Sequence, residues 1–236
     1  MKTNALTFLP ARAAAAALLA AGVAAAPALG QSLNIDIAPP GAGPPHTYAA
    51  AGEAGVWNAI PAANDTTTHD LVGLDGVPTA ADLRQFGGLD LTTVDDPGTT
   101  GADGLLMDDY LVTFTEELET CIFLQEMIQG EYEVLIYAWM PAQPAVLSDT
   151  SVDQEPGEPH YSVGGAWPGG HGELVTYSRH TLTVGADGNL YLHSGIVPDA
   201  NELDGAALNG LQVRNLAEIF KDGFEVGDAS RWTTVP

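Results

Sequence analysis

The segment GEYEVLIYAWMP, residues 130–141, constrains the fold more than any other part of the chain. A glycine opens it and a proline closes it, and its aromatic and β-branched residues alternate at a period of two, as in a β-strand. One face is apolar throughout: Tyr132, Val134, Ile136 and Ala138. The other face begins with glutamates and ends in Leu135, Tyr137 and Trp139. We therefore expect a central strand whose second face is covered by a further layer or by a ligand.

The first 30 residues have the pattern of a secretory signal peptide. Lys2 and Arg12 precede a run of alanine and leucine, and the small residues Ala28 and Gly30 precede Gln31. We expect cleavage after Gly30 and no membrane insertion of the mature chain, because the run is short for a span of ~20 residues. An N-terminal membrane anchor is the alternative. The mature protein is expected to be extracellular or at the cell surface, with the periplasm as a further compartment.

Acidic residues dominate the mature chain. Removing residues 1–30 leaves five basic residues against 31 acidic ones, a formal charge of −26. A surface this anionic repels phosphate, so nucleic acid and anionic lipid are poor partners. A solvated surface without a specific ion explains the charge, and Ca²⁺ binding is the alternative. For a structural calcium ion, the predicted ligands lie in the glycine-rich break DDPGTTGADG: Asp95, Asp96 and Asp103.

The chain is long enough for one domain. Residues 31–214 suffice for a single core, and no second core is needed. Cys121 is the only cysteine, so no disulfide supports the fold. It lies in an apolar run, where a thiol is usually a small buried hydrophobe. Residues 215–236 differ in character and are predicted to form a separate C-terminal tail.

Short apolar segments separated by Gly and Pro turns predict an all-β fold, a two-sheet antiparallel β-sandwich. The predicted strands are 33–38, 71–74, 82–86, 89–94, 121–124, 131–139, 173–184, 190–196 and 207–213. Residues 105–114 fit a short helix or a strand, and 116–119 favour a helical turn.

Two strand pairings follow from these segments. We expect 121–124 to pair with 131–139 across the turn MIQG, and 173–184 to form a hairpin with 190–196 around ADGN. Residues 141–172, rich in Pro, Gly, Ser and Asp, are predicted to form a long functional or mobile loop.

Several segments carry a resemblance to a known family: LNIDIA, TYAAAGEAGVWN, LLMDDYL, IFLQEMIQGEYEVLIYAW, HTLTVGADGNLYLH and ALNGLQV. Their order across residues 33–214 resembles the galactose-binding-like jelly-roll domains, including malectin-like modules, of secreted bacterial proteins. A G-x-Y-x-V-x-x-Y central strand and a terminal N-G-L-Q strand recur there; here they are Gly130, Tyr132, Val134 and Tyr137, and residues 209–212. The resemblance implies a β-sandwich that commonly binds carbohydrate at loops on one end or on a concave face, often with a structural Ca²⁺. Residues 157–173 are longer and more polar than in such domains.

The end of the chain, IFKDGFEVGDASRWTTVP, carries a second resemblance. It resembles the DGFE-x-GD-x-x-x-W element at the C-termini of many secreted bacterial proteins. The matching residues are Asp222, Gly223, Phe224, Glu225, Gly227, Asp228 and Trp232. The resemblance implies an address for secretion or surface attachment. The alternative is a final strand whose Phe224 and Trp232 pack on the edge of the sandwich.

No motif of a nucleophilic hydrolase, a zinc protease, a phosphate-binding loop or a dinucleotide-binding fold is present. His160, His171 and Glu173 supply the residue types of a three-ligand metal site, although loop histidines are usually solvated. Glycoside hydrolysis needs two carboxylates, and this acidic chain has many candidates. Those we considered are Asp108, Asp109, Glu116, Glu117 and Glu119.

These observations favour a secreted, non-catalytic binding module for a saccharide or another extracellular polymer. Aromatic side chains in exposed loops stack on the apolar faces of sugars. The predicted ligand-binding residues are Trp139, Tyr161 and Trp167, with His171 and Asn58 as polar partners. A structural cell-surface or matrix protein without a ligand is the alternative, and a glycoside or metal-dependent hydrolase is the third hypothesis.

Overall fold

The computed structural model describes residues 31–61, 67–88, 90–114, 119–152, 159–197 and 205–217. The predicted signal peptide, most of the tail and residues 116–118 of the predicted helical turn lie outside these ranges, so those hypotheses stay predictions. Within the described ranges, no helix has the length and apolar character needed to span a membrane.

The regular secondary structure of the described chain consists of β-strands, as predicted, and one short helix. The strands are β1 (Leu33–Ile37), β2 (Trp57–Ile60), β3 (His69–Val72), β4 (Pro78–Phe86), β5 (Asp90–Thr93), β6 (Asp109–Thr113), β7 (Thr120–Gln125), β8 (Gly130–Tyr137), β9 (Ser148–Ser151), β10 (Tyr161–Val163), β11 (Tyr177–Val184), β12 (Leu190–Ile196), β13 (Ala206–Leu208) and β14 (Gly210–Asn215). The helix is α1 (Ala102–Met107).

Two large sheets form the sandwich. Sheet A has the strand order β11-β8-β14-β1-β2, and sheet B has the order β10-β9-β12-β7-β4-β3. A third sheet, sheet C, has the order β13-β6-β5. Every described pairing is antiparallel except that of β1 with β2. Parallel neighbours need a long crossover, which residues 38–56 provide. The predicted β-sandwich is confirmed, with sheet C and this parallel edge pair as additions.

The main core lies between sheets A and B, because alternate residues of each strand point inward. Sheet A contributes fully buried aliphatic side chains from β1 and β8, and sheet B contributes them from β4, β7 and β12. They include Leu33, Ile35, Ile37, Val134, Ile136, Leu83, Ile122, Leu124, Leu190 and Leu192. Burying each such side chain contributes about 1.5–3 kcal/mol before ordering entropy is subtracted, so this cluster is the main source of stability.

Strand β8 is central, as predicted, with β11 on one side and β14 on the other. Its first face joins the main core. Its second face, with Leu135, Tyr137 and the following Trp139, is packed against α1 and against residues 48–51 and 167. A second layer of the protein itself therefore covers this face, which confirms the expectation drawn from its apolar residues.

Both predicted hairpins are wrong. β7 pairs with β4 and β12 in sheet B, whereas β8 lies in sheet A, so residues 126–129 cross between the sheets. Residues 185–189 cross in the same way, because β11 pairs with β8 and β12 pairs with β7 and β9. The crossings lie side by side, and the Met127 amide donates to the Gly188 carbonyl. Alternation specifies which residues face a core, but it does not specify the sheet that holds them.

Three other segments differ from their predictions. Residues 105–114 contain the end of α1 and then β6, so both alternatives occur in succession. The supposed loop 141–172 contains β9 and β10. The last predicted strand is divided at Asn209 into β13 of sheet C and β14 of sheet A. Asn209 is buried, and its side chain donates to the Met107 and Asp109 carbonyls and accepts from the Trp139 amide. β14 ends at Asn215, one residue beyond the predicted domain boundary.

Candidate functional site

The outer face of sheet A is covered by what we call the outer layer: residues 38–56, α1 and residues 164–176. Side-chain hydrogen bonds hold it in place. The Tyr137 hydroxyl accepts from the Ala51 amide and donates to Gln212, and the Trp139 indole donates to the Gly165 carbonyl. The outer layer therefore belongs to the folded domain.

Trp139 and Asn58, both predicted to contact a ligand, are engaged within the fold. Trp139 is only 1% exposed. The Asn58 amide group donates to the Asn34 and Val72 carbonyls, and its oxygen accepts from the Val72 amide. Asn58 therefore ties β1, β2 and β3 together. In both cases a residue type common in sugar sites serves the packing of the sandwich.

His171 takes part in a buried polar junction. Its side chain is 7% exposed, and Nε2 lies 2.5 Å from the Tyr48 hydroxyl oxygen. That hydroxyl donates to Asp103 Oδ1, so it accepts from Nε2–H of the imidazole. Burial lowers the pKa of His171. The predicted metal ligand Asp103 and the predicted sugar partner His171 thus meet each other inside the outer layer.

The two remaining predicted aromatics lie in different places. Trp167 is half-buried and packs between Trp139 and His171, with ring centroids 5.1 Å and 5.9 Å away. Tyr161 lies on β10, where its ring packs 5.0 Å from that of His180. The structure therefore brings Trp139, Trp167 and His171 together as a packed cluster and leaves Tyr161 outside it.

The two predicted metal sites do not assemble in the described residues. His160 pairs with Asp149 at 2.9 Å, and Glu173 pairs with Arg179 at 3.3 Å, so neither joins His171. Asp96 accepts a hydrogen bond from the Gly98 amide, and Asp103 is engaged by Tyr48. Over the described ranges, no three His, Cys, Asp or Glu side chains form a group that could hold a metal ion.

A cleft of about 420 Å³ opens beside α1, and we call it the acidic cleft. Its lining includes three carboxylates, three threonines and three apolar side chains: Asp95, Asp108, Asp109, Thr93, Thr99, Thr100, Ala42, Val94 and Leu105. Leu105 is 43% exposed. The described lining contains no basic residue. Two of the carboxylates that we considered for hydrolysis, Asp108 and Asp109, therefore lie in one cleft, whereas Glu119 lies elsewhere.

Asp36 on β1 lies next to this cleft and is completely buried. Neither of its carboxylate oxygens has a hydrogen-bond partner, and the same holds for Oδ1 of Asp109. The chain packs closely over Asp36, since a Cβ on Gly43 would lie 3.3 Å from Oδ2. Burial, reinforced by the charge of Asp109, raises the pKa of Asp36 to about 8. Asp36 is therefore largely protonated at neutral pH.

The outer face of sheet B carries an accessible aromatic cluster, which we call the aromatic face: Phe86, Phe123 and Tyr191. Phe123 on β7 and Tyr191 on β12 are register partners, and their rings stack with centroids 4.4 Å apart and planes 9° from parallel. Tyr191 is 37% exposed and Phe86 is 40% exposed. The stacked rings of Phe123 and Tyr191 thus stand together on the outer face of sheet B, partly in contact with solvent.

Polar side chains flank the aromatic face. Arg84 is the register partner of Phe123 on β4, and Gln125 follows on the same face of β7. His193 Nδ1 lies 2.9 Å from Glu119 Oε1, and this contact holds the pKa of Glu119 below its usual value. Our sequence analysis missed these residues. The available signal was the alternation CIFLQ and LYLH, in which Phe123 and Tyr191 occupy outward positions between buried aliphatic residues.

The architecture defines the class as a two-sheet β-sandwich with one added layer. No protein-family model matches the chain, and no curated protein matches it. Solved structures similar to it include a β-glucuronidase of Bacteroides uniformis, with 16% identity and a TM-score of 0.38 over 60% of this chain and 16% of that one. An isomalto-dextranase of Arthrobacter globiformis T6, solved with panose, has 15% identity and a TM-score of 0.35 over 66% of this chain and 24% of that one.

A family 35 carbohydrate binding module from Clostridium thermocellum has 16% identity and a TM-score of 0.33. The match covers 56% of this chain and 92% of that module. The chain thus spans 16% and 24% of the two enzymes and most of the module. None of these three TM-scores reaches 0.5, so the fold class is taken from the strand topology and the candidate sites from the contacts described above.

Proposed function

We propose that this chain is an exported, non-catalytic module that binds a carbohydrate polymer on the aromatic face of sheet B. The observation that carries this proposal is the stacked, solvent-accessible pair Phe123 and Tyr191. Sugar rings present apolar C–H faces that pack against aromatic rings, and a flat sheet surface suits an extended polymer.

The neighbouring polar groups support the same proposal. A saccharide needs hydrogen-bond partners beside the stacking rings, because its hydroxyl groups lose water on binding. Arg84 and Gln125 flank Phe123, and His193, paired with Glu119, lies two residues from Tyr191 on the same face of β12. This face therefore combines stacking surface with donors and acceptors.

A polymer-retention assay tests this proposal. Wild-type protein is incubated with a panel of insoluble polysaccharides and with a glycan array, in parallel with the double variant Phe123→Ala/Tyr191→Ala. We expect the wild type to be retained on at least one polymer and the double variant to lose at least tenfold in affinity. Phe114→Ala is the matched control, because Phe114 is 50% exposed and follows β6 of sheet C, so it is not part of the aromatic face.

Each outcome has a defined meaning. Retention of both the wild type and the double variant would place the binding surface elsewhere and overturn the assignment to sheet B. Absence of retention on every polymer would overturn the carbohydrate-binding function and favour a structural surface or matrix protein. Hydrolysis in a panel of chromogenic glycosides would overturn the non-catalytic assignment.

A further inference from the structure

We propose that the acidic cleft binds the protonated amine of an amino sugar, so that the module selects polysaccharides with free amino groups. This inference rests on the proposed function and adds a substrate class to it. The cleft is a different surface from the aromatic face, so the stacked aromatic pair does not account for any preference that the cleft gives.

The lining of the cleft is negatively charged. Asp95, Asp108 and Asp109 line it, and burial followed by the charges of Asp96 and Asp95 raises the pKa of Asp108. Carboxylates that raise one another's pKa share a region of negative potential. A cationic group that enters this region is therefore attracted, and an anionic one is repelled.

No described arginine compensates this charge. Arg179 pairs with Glu133 at 2.7 Å, and Arg214 pairs with Glu133 at 3.1 Å. Arg84 lies on sheet B and donates to Thr68. Because these side chains are engaged elsewhere, the cleft presents its negative charge to whatever enters it.

One carboxylate of the lining has an unpartnered oxygen. Asp109 lines the cleft, is only 9% exposed, and has an Oδ1 atom without a hydrogen-bond partner. Buried polar atoms are nearly always hydrogen-bonded, so this oxygen at the cleft points to a donor from outside the described chain. An ammonium group offers three donors and a positive charge.

The size and lining of the cleft suit a sugar unit. A volume of about 420 Å³ lies in the range of small-molecule sites. The hydroxyls of Thr93 and Thr100 can bond sugar hydroxyls, and Leu105 offers an apolar contact for a ring face. A Cβ on Gly104 would lie 3.1 Å from Asp108 Oδ2, so glycine at this position keeps the approach to that oxygen open.

The alternatives to an amine fit this cleft less well. Uronates and sulfated sugars carry the same sign of charge as its lining. A metal ion needs several ligands around one point, and the described residues bring no three His, Cys, Asp or Glu side chains together in that way. A protonated amine needs only two or three acceptors and tolerates the larger space.

Calorimetric titration with two matched oligosaccharides tests the inference. One is a fully deacetylated glucosamine oligomer and the other is the N-acetylated oligomer of the same length, so that only the amine charge differs. At pH 6 we expect the wild type to bind the deacetylated oligomer at least tenfold more tightly. The preference should fall to within about twofold in the variant Asp95→Asn/Asp108→Asn.

A control must remove equal charge at a distance, because any anionic protein attracts a polycation. Asp75→Asn/Asp187→Asn removes two exposed carboxylates in turns outside the cleft. This control should keep at least half of the wild-type preference, expressed as a ratio of affinities. Equal loss in both double variants would mean that the preference reflects net charge, and it would overturn the inference.

Three further outcomes separate this inference from the proposed function. Binding of both oligomers with equal affinity overturns the amine preference and leaves carbohydrate binding intact. Saturable binding of Ca²⁺ alone that is lost in Asp95→Asn/Asp108→Asn, without binding of the deacetylated oligomer, makes the cleft a metal site and overturns the inference. If neither these oligomers nor any polymer binds, both proposals fail.

Discussion

The outer face of sheet A is buried and the outer face of sheet B is exposed to solvent, although strands with the same alternating pattern form both. On sheet A, Tyr137 and Trp139 are at most 1% exposed beneath the outer layer. On sheet B, Tyr191 and Phe86 are 37% and 40% exposed. The difference follows from the neighbouring residues: Leu135, Tyr137 and Trp139 make one continuous apolar face, whereas Phe123 has Gln125 on the same strand face and Arg84 as its partner on β4. A continuous apolar face needs a cover, and an interrupted one can stay in water.

The polar side chains of the two faces also differ in burial and in hydrogen bonding. Beneath the outer layer, polar side chains are buried and bonded to one another, as Gln212 is to Tyr137 and Asn34. The exceptions include Asp36 and Oδ1 of Asp109, described above. On sheet B the ion pair of His193 with Glu119 lies partly in solvent. Substitutions on sheet A should therefore change stability, and those on sheet B should change binding.

The largest expected effect is that of Trp139→Ala. This substitution empties a buried site and removes the hydrogen bond to Gly165, so we expect a loss of about 3–5 kcal/mol in the free energy of unfolding. Urea denaturation followed by fluorescence measures it. Phe123→Ala is the comparison, with an expected loss of about 1 kcal/mol or less. Equal losses for the two variants would contradict the distinction between covered and open faces.

The next effect concerns Asp36 and pH. Its pKa rises from 3.8 in the unfolded chain to about 8 in the fold, so the folded state binds the extra proton between these values. The contribution of this residue to stability is therefore greatest below pH 4 and falls as pH rises towards 8. Asp36→Asn should remove this part of the slope and stabilise the protein by a few kcal/mol at pH 8. Unfolding curves of both proteins at pH 5 and pH 8 would show it, and an unchanged slope would contradict a protonated Asp36.

A smaller effect is expected for the coupling between Phe123 and Tyr191. Stacked cross-strand pairs contribute about 0.2–1 kcal/mol relative to alanine. A double-mutant cycle of unfolding free energies with Phe123→Ala, Tyr191→Ala and both together measures this coupling. A value well above 1 kcal/mol would mean that the pair stabilises the sandwich, and it would weaken the argument that the rings are kept for a ligand.

The smallest expected effect is that of calcium. The acidic composition predicted that Ca²⁺ stabilises the fold by mass action, through Asp95, Asp96 and Asp103. The described residues bring no three His, Cys, Asp or Glu side chains around one point, and Asp103 is bonded to Tyr48. We therefore expect thermal melting in millimolar Ca²⁺ and in excess chelator, at matched ionic strength, to differ by about one degree or less. A larger shift that Asp95→Asn removes would establish a calcium site and contradict this expectation.

The sequence predicted the sandwich and the central position of β8, because both depend on local alternation. It did not predict the sheet in which β7, β11 and β12 lie, since the two sheets bury the same kind of residue. Trp139 was predicted as a ligand contact because the second apolar face of β8 needs a cover, and the sequence did not distinguish a ligand from a second layer of the protein. Phe123 was not considered. The acidic cleft was missed because it combines residue 42 with residues 93–109, and only long-range packing brings them together.

The pairing of β1 with β14 has a consequence for how the chain reaches its fold. Leu33 is the register partner of Val213, so the first strand lies between β14, near the end of the described chain, and β2. β14 also separates β1 from β8. Closing a loop this long costs entropy before its contacts form, and folds dominated by such pairings fold in milliseconds to seconds. Sheet A cannot be completed until residues 210–215 have been synthesised, so we expect the nascent chain to remain incompletely folded during the interval in which a signal peptide would engage the export machinery.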